Sequence, residues 1–106
     1  MGIGLPFDLE QGRLRPEIIE RWLAHDPVRM IDDPRHQEAL RKMRLVFVDC
    51  GRRDEHHLHW GALQFHHKLA AAGVEHRYED FDDGHRSTSY RLDVSLRAIW
   101  EALGAR

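Results

Sequence analysis

Residues 44–81 run RLVFVDCGRRDEHHLHWGALQFHHKLAAAGVEHRYEDF, and they spell out a strand, a helix and a second strand. Arg44–Asp49 (RLVFVD) is a continuous β-branched and aromatic run, the mark of a strand covered on both faces, as in parallel sheets. The polar stretch Cys50–His57 reads as a loop. Leu58–Ala72 predicts a helix, because Leu58, Ala62, Phe65, Leu69 and Ala72 fall on one stripe and Gly73 is placed to end it. Val74–Phe81 alternates instead, with Val74, His76 and Tyr78 on one side and Glu75, Arg77 and Glu79 on the other. That is the pattern of a half-exposed strand at a sheet edge.

A helical crossover between two strands makes them parallel and right-handed. The loops at the carboxyl ends of such strands are where α/β folds place their chemistry. Asp54 lies in the first of these loops and His85 in the second, within the turn Asp82-Asp83-Gly84-His85, so the spacing brings both to one rim. Beyond it, Tyr90–Leu103 predicts a last helix with Leu92, Leu96, Ile99 and Leu103 as its core stripe.

Upstream, residues 1–15 carry three glycines and Pro6 and read as an extended lead-in. Pro16 suits the first position of a helix, and Ile18, Ile19, Trp22 and Leu23 supply its stripe. Asp26-Pro27 is expected to stop that helix. Asp33 caps a second short one carrying Ala39, Leu40 and Met43. Two strands are few for a sheet. The apolar edge at Leu45–Val48 and the second face of the long helix (Trp60, Leu63, His67) both need cover. The N-terminal helices, a missing N-terminal domain or a second copy of the chain would each provide it.

The 106 residues have a single-domain length and are read as one domain, 1–106. With 42% hydrophobic and 32% charged residues the chain is too apolar for disorder. A net charge of −2, with no basic block among aromatics, argues against a nucleic-acid partner. Cys50 is the only cysteine, which excludes an intramolecular disulfide and fits a reducing compartment. The N-terminus has no signal-peptide pattern. Gly2 is not followed by the Ser or Thr that myristoylation wants, since position 6 is Pro6. The longest apolar run is too short to span a bilayer. The expectation is a cytoplasmic protein with no membrane partner and no cofactor.

The segments LVFVDCGRRDEHHLHWGALQF (45–65) and YEDFDDGHRSTSYR (78–91) resemble the end of the putative-esterase family, which includes enterochelin-esterase-like and S-formylglutathione-hydrolase-like proteins of the α/β-hydrolase fold. LPFDLEQGRLRPEIIERWLAHDPVRM (5–30) is similar to the segment that precedes the last strands in such proteins. The resemblance implies an α/β fold with partial α/β-hydrolase architecture: two parallel strands, a crossover helix and a C-terminal helix, preceded by two short helices. It implies a Ser–His–Asp triad in which Asp54 matches the acid and His85 the base. In such a triad the histidine takes the serine's proton, and the carboxylate fixes its tautomer and stabilises the imidazolium. The serine itself has no counterpart. Ser87, Ser89 and Ser95 lack the flanking glycines of G-x-S-x-G and follow the histidine, and no oxyanion-hole loop is present.

The leading expectation is therefore the C-terminal portion of a serine carboxylic-ester hydrolase, inactive by itself, with a small ester as substrate only once the site is completed. The alternative is a non-catalytic protein that self-associates as a homodimer through Leu45–Val48 and the Trp60/Leu63 surface. A weaker one is a metal-binding module, since nine histidines are present and His56, His57, His59, His66 and His67 cluster. No HExxH pattern supports it, and no metal site is assigned. Glu55 is a possible surrogate acid. Arg52, Arg53, Arg86 and Arg91 ring the rim, where an anionic ligand is one reading and solvated charge the more ordinary one. Trp22, Trp60 and Trp100 read as core or interface anchors. Cys50 reads as a small buried side chain rather than a nucleophile.

Overall fold

The computed structural model describes residues 4–104, so the readings that rest on Gly2 and the extreme N-terminus lie outside it. Three short helices open the chain: α1 (Pro16–Leu23), α2 (Pro27–Met30) and α3 (Pro34–Arg41). Each begins on a proline, whose missing N–H costs nothing in a first turn. Asp26 and Asp33 cap α2 and α3 by accepting from Val28 N (3.0 Å) and Arg35 N (2.8 Å). Asp26-Pro27 thus starts a helix as well as following one, and α1 ends earlier, at Leu23. The lead-in is less extended than its composition suggested. Asp8 accepts from the N–H groups of Glu10, Gln11 and Arg13, closing a turn that lets Phe7 and Leu14 form an antiparallel bridge.

The second half is β1 (Phe47–Gly51), α4 (Leu58–Ala71), β2 (Arg77–Phe81), a 3₁₀ turn (Ser89–Arg91) and α5 (Leu92–Ala102). Mixed α/β, with five α-helices and two parallel strands among the described residues, it is the architecture of a partial α/β-hydrolase-like fold. Phe47 pairs with Arg77 and Gly51 with Phe81. Both strands begin later than the hydrophobic pattern implied. Val74 turns inward to cap α4: Gly73, at φ +67°, reverses the chain so that Val74 N reaches Leu69 O (2.9 Å) and Gly73 N reaches Ala70 O (3.1 Å). That cap consumes the first residues of the expected strand, and β1 pairs in register only from Phe47 on, with Val46 O accepting from Arg77 N (2.8 Å) at its start.

Leu69, Val74 and Ile31 form the buried centre, with Leu40, Val46, Phe65 and Ala72 against them. The N-terminal helices do cover part of α4. Lys68 Nζ donates to Val28 O (2.7 Å) and pairs with Asp32 (2.8 Å), while Arg41 Nη2 donates to Ala72 O (2.5 Å). Yet Trp60, on the second face of α4, is still 59% exposed.

α5 departs most from the expectation of a core stripe. Leu92, Leu96, Ile99 and Leu103 do share a side, but all four are exposed, and only Ala98 is buried on this helix. Trp22 and Trp100 are exposed as well. The radius of gyration is 17.1 Å, against about 13 Å for a compact domain of this length. The accessible surface is 8321 Å², against roughly 6,200 Å² for a compact monomer of 12.5 kDa. Helix periodicity selected the apolar side correctly, but nothing among the described residues covers it. No described helix is long and apolar enough to cross a membrane.

Candidate active site

The two loops that follow β1 and β2 lie side by side because their main chains are tied. Arg52 N donates to Phe81 O (2.8 Å) and Arg53 N to Asp83 O (3.0 Å). The approach needs glycine at the end of β1, since a Cβ on Gly51 would run into the carbonyl oxygens of Asp83 and Gly84. His57, in the left-handed region at φ 58°, then turns the chain into α4.

This arrangement brings Asp54 and His85 together. Asp54 is 3% exposed. Its Oδ1 accepts from the backbone N–H of His56 (2.8 Å), and its Oδ2 faces His85 Nδ1 at 3.3 Å and the Cys50 thiol at 3.6 Å. The ring contact is at the long end for a hydrogen bond. With Nδ1 turned to the carboxylate, Nε2 is the imidazole nitrogen left to exchange a proton. The rest of the ring is half exposed and meets the edge of the His56 ring at 4.7 Å between centroids. A cavity of about 330 Å³ opens here, lined by Cys50, Asp54, Leu58, His85, Thr88 and Arg91 among others. Ser87, Ser89 and Ser95 do not line it.

Burial pushes the Asp54 carboxyl upward, but the His56 N–H, the His85 ring and the Cys50 thiol outweigh it and hold the group below the usual carboxylate range. Asp83 is lowered by the Gly84 N–H and then by the Tyr90 hydroxyl, which donates to it at 2.8 Å. Glu55 is lowered by its own backbone N–H and by that of His85. All three titrate lower in the folded chain than in the unfolded one. Their stabilisation is therefore complete above the ordinary carboxylate range and is lost as pH falls through the folded values. We expect a lower Tm at pH 3 than at pH 6, with the Asp54→Asn variant losing part of that dependence. Thermal unfolding followed by circular dichroism at the two pH values checks it, and a Tm independent of pH would contradict it.

The remaining candidates sort themselves by their partners. Arg52 pairs with Asp80 (2.7 Å) and Arg53 with Asp82 (2.9 Å), both exposed. Arg91 bridges Asp49 (3.2 Å) and Glu79 (3.3 Å) beneath the cavity and lies over the Phe81 ring. Three of the four rim arginines are thus occupied with carboxylates, and Arg86 is exposed. Glu55 does not reach the imidazole. Its Oε2 accepts from the backbone N–H of His85 (2.9 Å), a contact that no spacing rule signals. Cys50 is half buried, and burial, followed by the hydrogen bond to Asp54, pushes its thiol up, away from the thiolate.

The clustered histidines disperse. His56 packs on His85, His59 lies against Trp60, and His66 Nδ1 meets His76 Nε2 at 2.7 Å while stacking on Tyr78. No group of three or more His, Cys, Asp or Glu side chains is arranged to hold a metal among the described residues.

No family model matches the chain, and no curated protein matches it. Among solved structures, a ferulic acid esterase superposes with a TM-score of 0.65 at 24% identity, over 92% of this chain. The chain spans 37% of that structure's length. At this identity the likeness is one of fold.

Proposed function

We propose that this chain is the C-terminal portion of a serine carboxylic-ester hydrolase, with Asp54 as the acid and His85 as the base of a triad. In this reading residues 1–106 form one unit that corresponds to the last two strands and helices of an α/β-hydrolase. The single observation that carries it is the 3.3 Å contact between a buried Asp54 carboxylate and His85 Nδ1 at the carboxyl ends of two parallel strands, beside an open cavity. The fold shared with a ferulic acid esterase supports it. Asp54 would hold the Nδ1–H tautomer and stabilise the imidazolium, and Nε2 would take the nucleophile's proton and return it to the leaving alcohol.

Neither the nucleophile nor its oxyanion donors are assigned to any residue here. The thin core, the bare outer edge of β1 and the uncovered stripe of α5 fit a sheet that continues into a preceding segment. The enterochelin-esterase-like and S-formylglutathione-hydrolase-like character belongs to the same proposal, as does a cytoplasmic location.

The test is hydrolysis of p-nitrophenyl acetate by the purified chain, with light scattering on the same fractions. The expected result is no turnover above background until a segment carrying G-x-S-x-G is supplied on the same polypeptide, after which turnover appears. Rapid turnover by the chain alone would overturn the assignment of the nucleophile elsewhere. A stable, inactive dimer that gains no activity with such a segment would favour the second reading, self-association through the bare β1 edge.

A further inference from the structure

We infer that Glu55 is a positioning residue for His85: its carboxylate anchors the histidine loop by the main chain, so that the imidazole comes to rest on Asp54. The inference rests on the proposed hydrolase only for the reaction it would serve, because the anchoring itself can be read without turnover.

Three consecutive residues hold His85 at three points. Asp54 Oδ2 faces ring Nδ1 (3.3 Å), Glu55 Oε2 accepts the backbone N–H (2.9 Å), and the His56 ring abuts the imidazole (4.7 Å between centroids). The main-chain ties between the loops run from Arg52 N to Phe81 O and from Arg53 N to Asp83 O, and stop there. Gly84 N turns onto the Asp83 side chain (2.7 Å). His85 therefore lies two residues past the last main-chain tie, and its N–H is the next to reach the first loop. It is followed by the exposed Arg86 and by Ser87 in the left-handed region at φ 57°. A carboxylate on its N–H is a charge-assisted bond, stronger than a neutral one.

Gly84 belongs to the same device. A Cβ there would fall on the Glu55 carboxylate, so the loop is cleared at the place that carboxylate occupies. Asp54 alone constrains the ring but not the backbone that carries it. Glu55 fixes the backbone, and the two together leave the imidazole one place to go.

The test uses ring and amide nitrogen NMR on the full chain. In the unmodified protein the His85 proton is expected on Nδ1, with its amide protected from exchange. Glu55→Ala should speed exchange of the His85 amide several-fold, the modest factor left to a charge-assisted bond that water screens. It should also move the ring toward the tautomer mixture of free imidazole. Glu55→Gln should restore much of both, because its amide oxygen accepts the same bond. Asp54→Asn should change the tautomer while leaving the amide protected.

An unchanged tautomer in Glu55→Ala would overturn the inference, and so would a Gln variant that behaves like the Ala variant. If Glu55→Ala does not fold, Gly84→Ala displaces the carboxylate without deleting it and must give the same two changes, failing which the inference falls. Should the hydrolase reading be wrong, these NMR changes persist with no ester turnover to lose. Should it be right, Glu55→Ala lowers kcat and leaves KM nearly unchanged in the polypeptide that carries the G-x-S-x-G segment.

Discussion

Changing Asp54 to asparagine is expected to lower ester turnover by about 10⁴-fold in a protein that completes this site, and changing His85 to alanine by about 10⁶-fold. The two losses differ because the two groups act differently. An asparagine at position 54 presents an amide donor where the carboxylate accepts, which favours the imidazole with its proton on Nε2. The base is then present but loaded at the wrong nitrogen. Alanine at position 85 removes the base altogether. KM is expected to move little in either variant, since neither side chain is needed to hold the ground-state ester. The measurement is kcat and KM for p-nitrophenyl acetate, with circular dichroism confirming that each variant is folded. A drop of less than tenfold for both would show that the pair stands together without acting together.

The second large effect falls on stability. Gly51→Ala is expected to destabilise the chain by about 3 kcal/mol, lowering Tm by roughly 15 °C for a domain of this size. The added methyl meets main chain, the carbonyls of Asp83 and Gly84, and neither can yield without pulling β2 and its loop away from β1. The ties from Arg52 N and Arg53 N lie in the path of that movement, so the Asp54–His85 contact is lost with them. Gly84→Ala provides the comparison. The atoms nearest its methyl all belong to the end of a glutamate side chain, which can swing aside, so its Tm should fall much less. Equal losses in the two variants would mean that the loops are not held at Gly51.

What could be read from the sequence was the grammar of the second half. An apolar run, a striped helix ended by glycine and an alternating run are local patterns, and the parallel pairing of Phe47–Gly51 with Arg77–Phe81 follows from their order. The rim position of Asp54 and His85 follows as well, because parallel pairing sets the carboxyl ends of the two strands, and the loops after them, side by side. The residues that came out differently depend on contacts between distant segments. Asp26-Pro27 is equally a stop and a start, and only its capping bond to Val28 N decides. The stripe on α5 says which side is apolar but not what covers it. Glu55 was legible only as a second carboxylate beside the first. Whether its side chain meets the imidazole or the backbone depends on how both loops bend, and neither periodicity nor spacing carries that information.

The geometry around Gly84 also ties two positions together in descent. Any side chain at 84 and a glutamate at 55 compete for one volume, so a lineage that acquires alanine or serine at 84 must shorten or redirect residue 55, and one that loses the glutamate frees 84 to drift. Among relatives of this chain the two sites should therefore change as a pair, with glycine at one accompanying glutamate at the other, although 28 residues separate them along the backbone and a helix lies between.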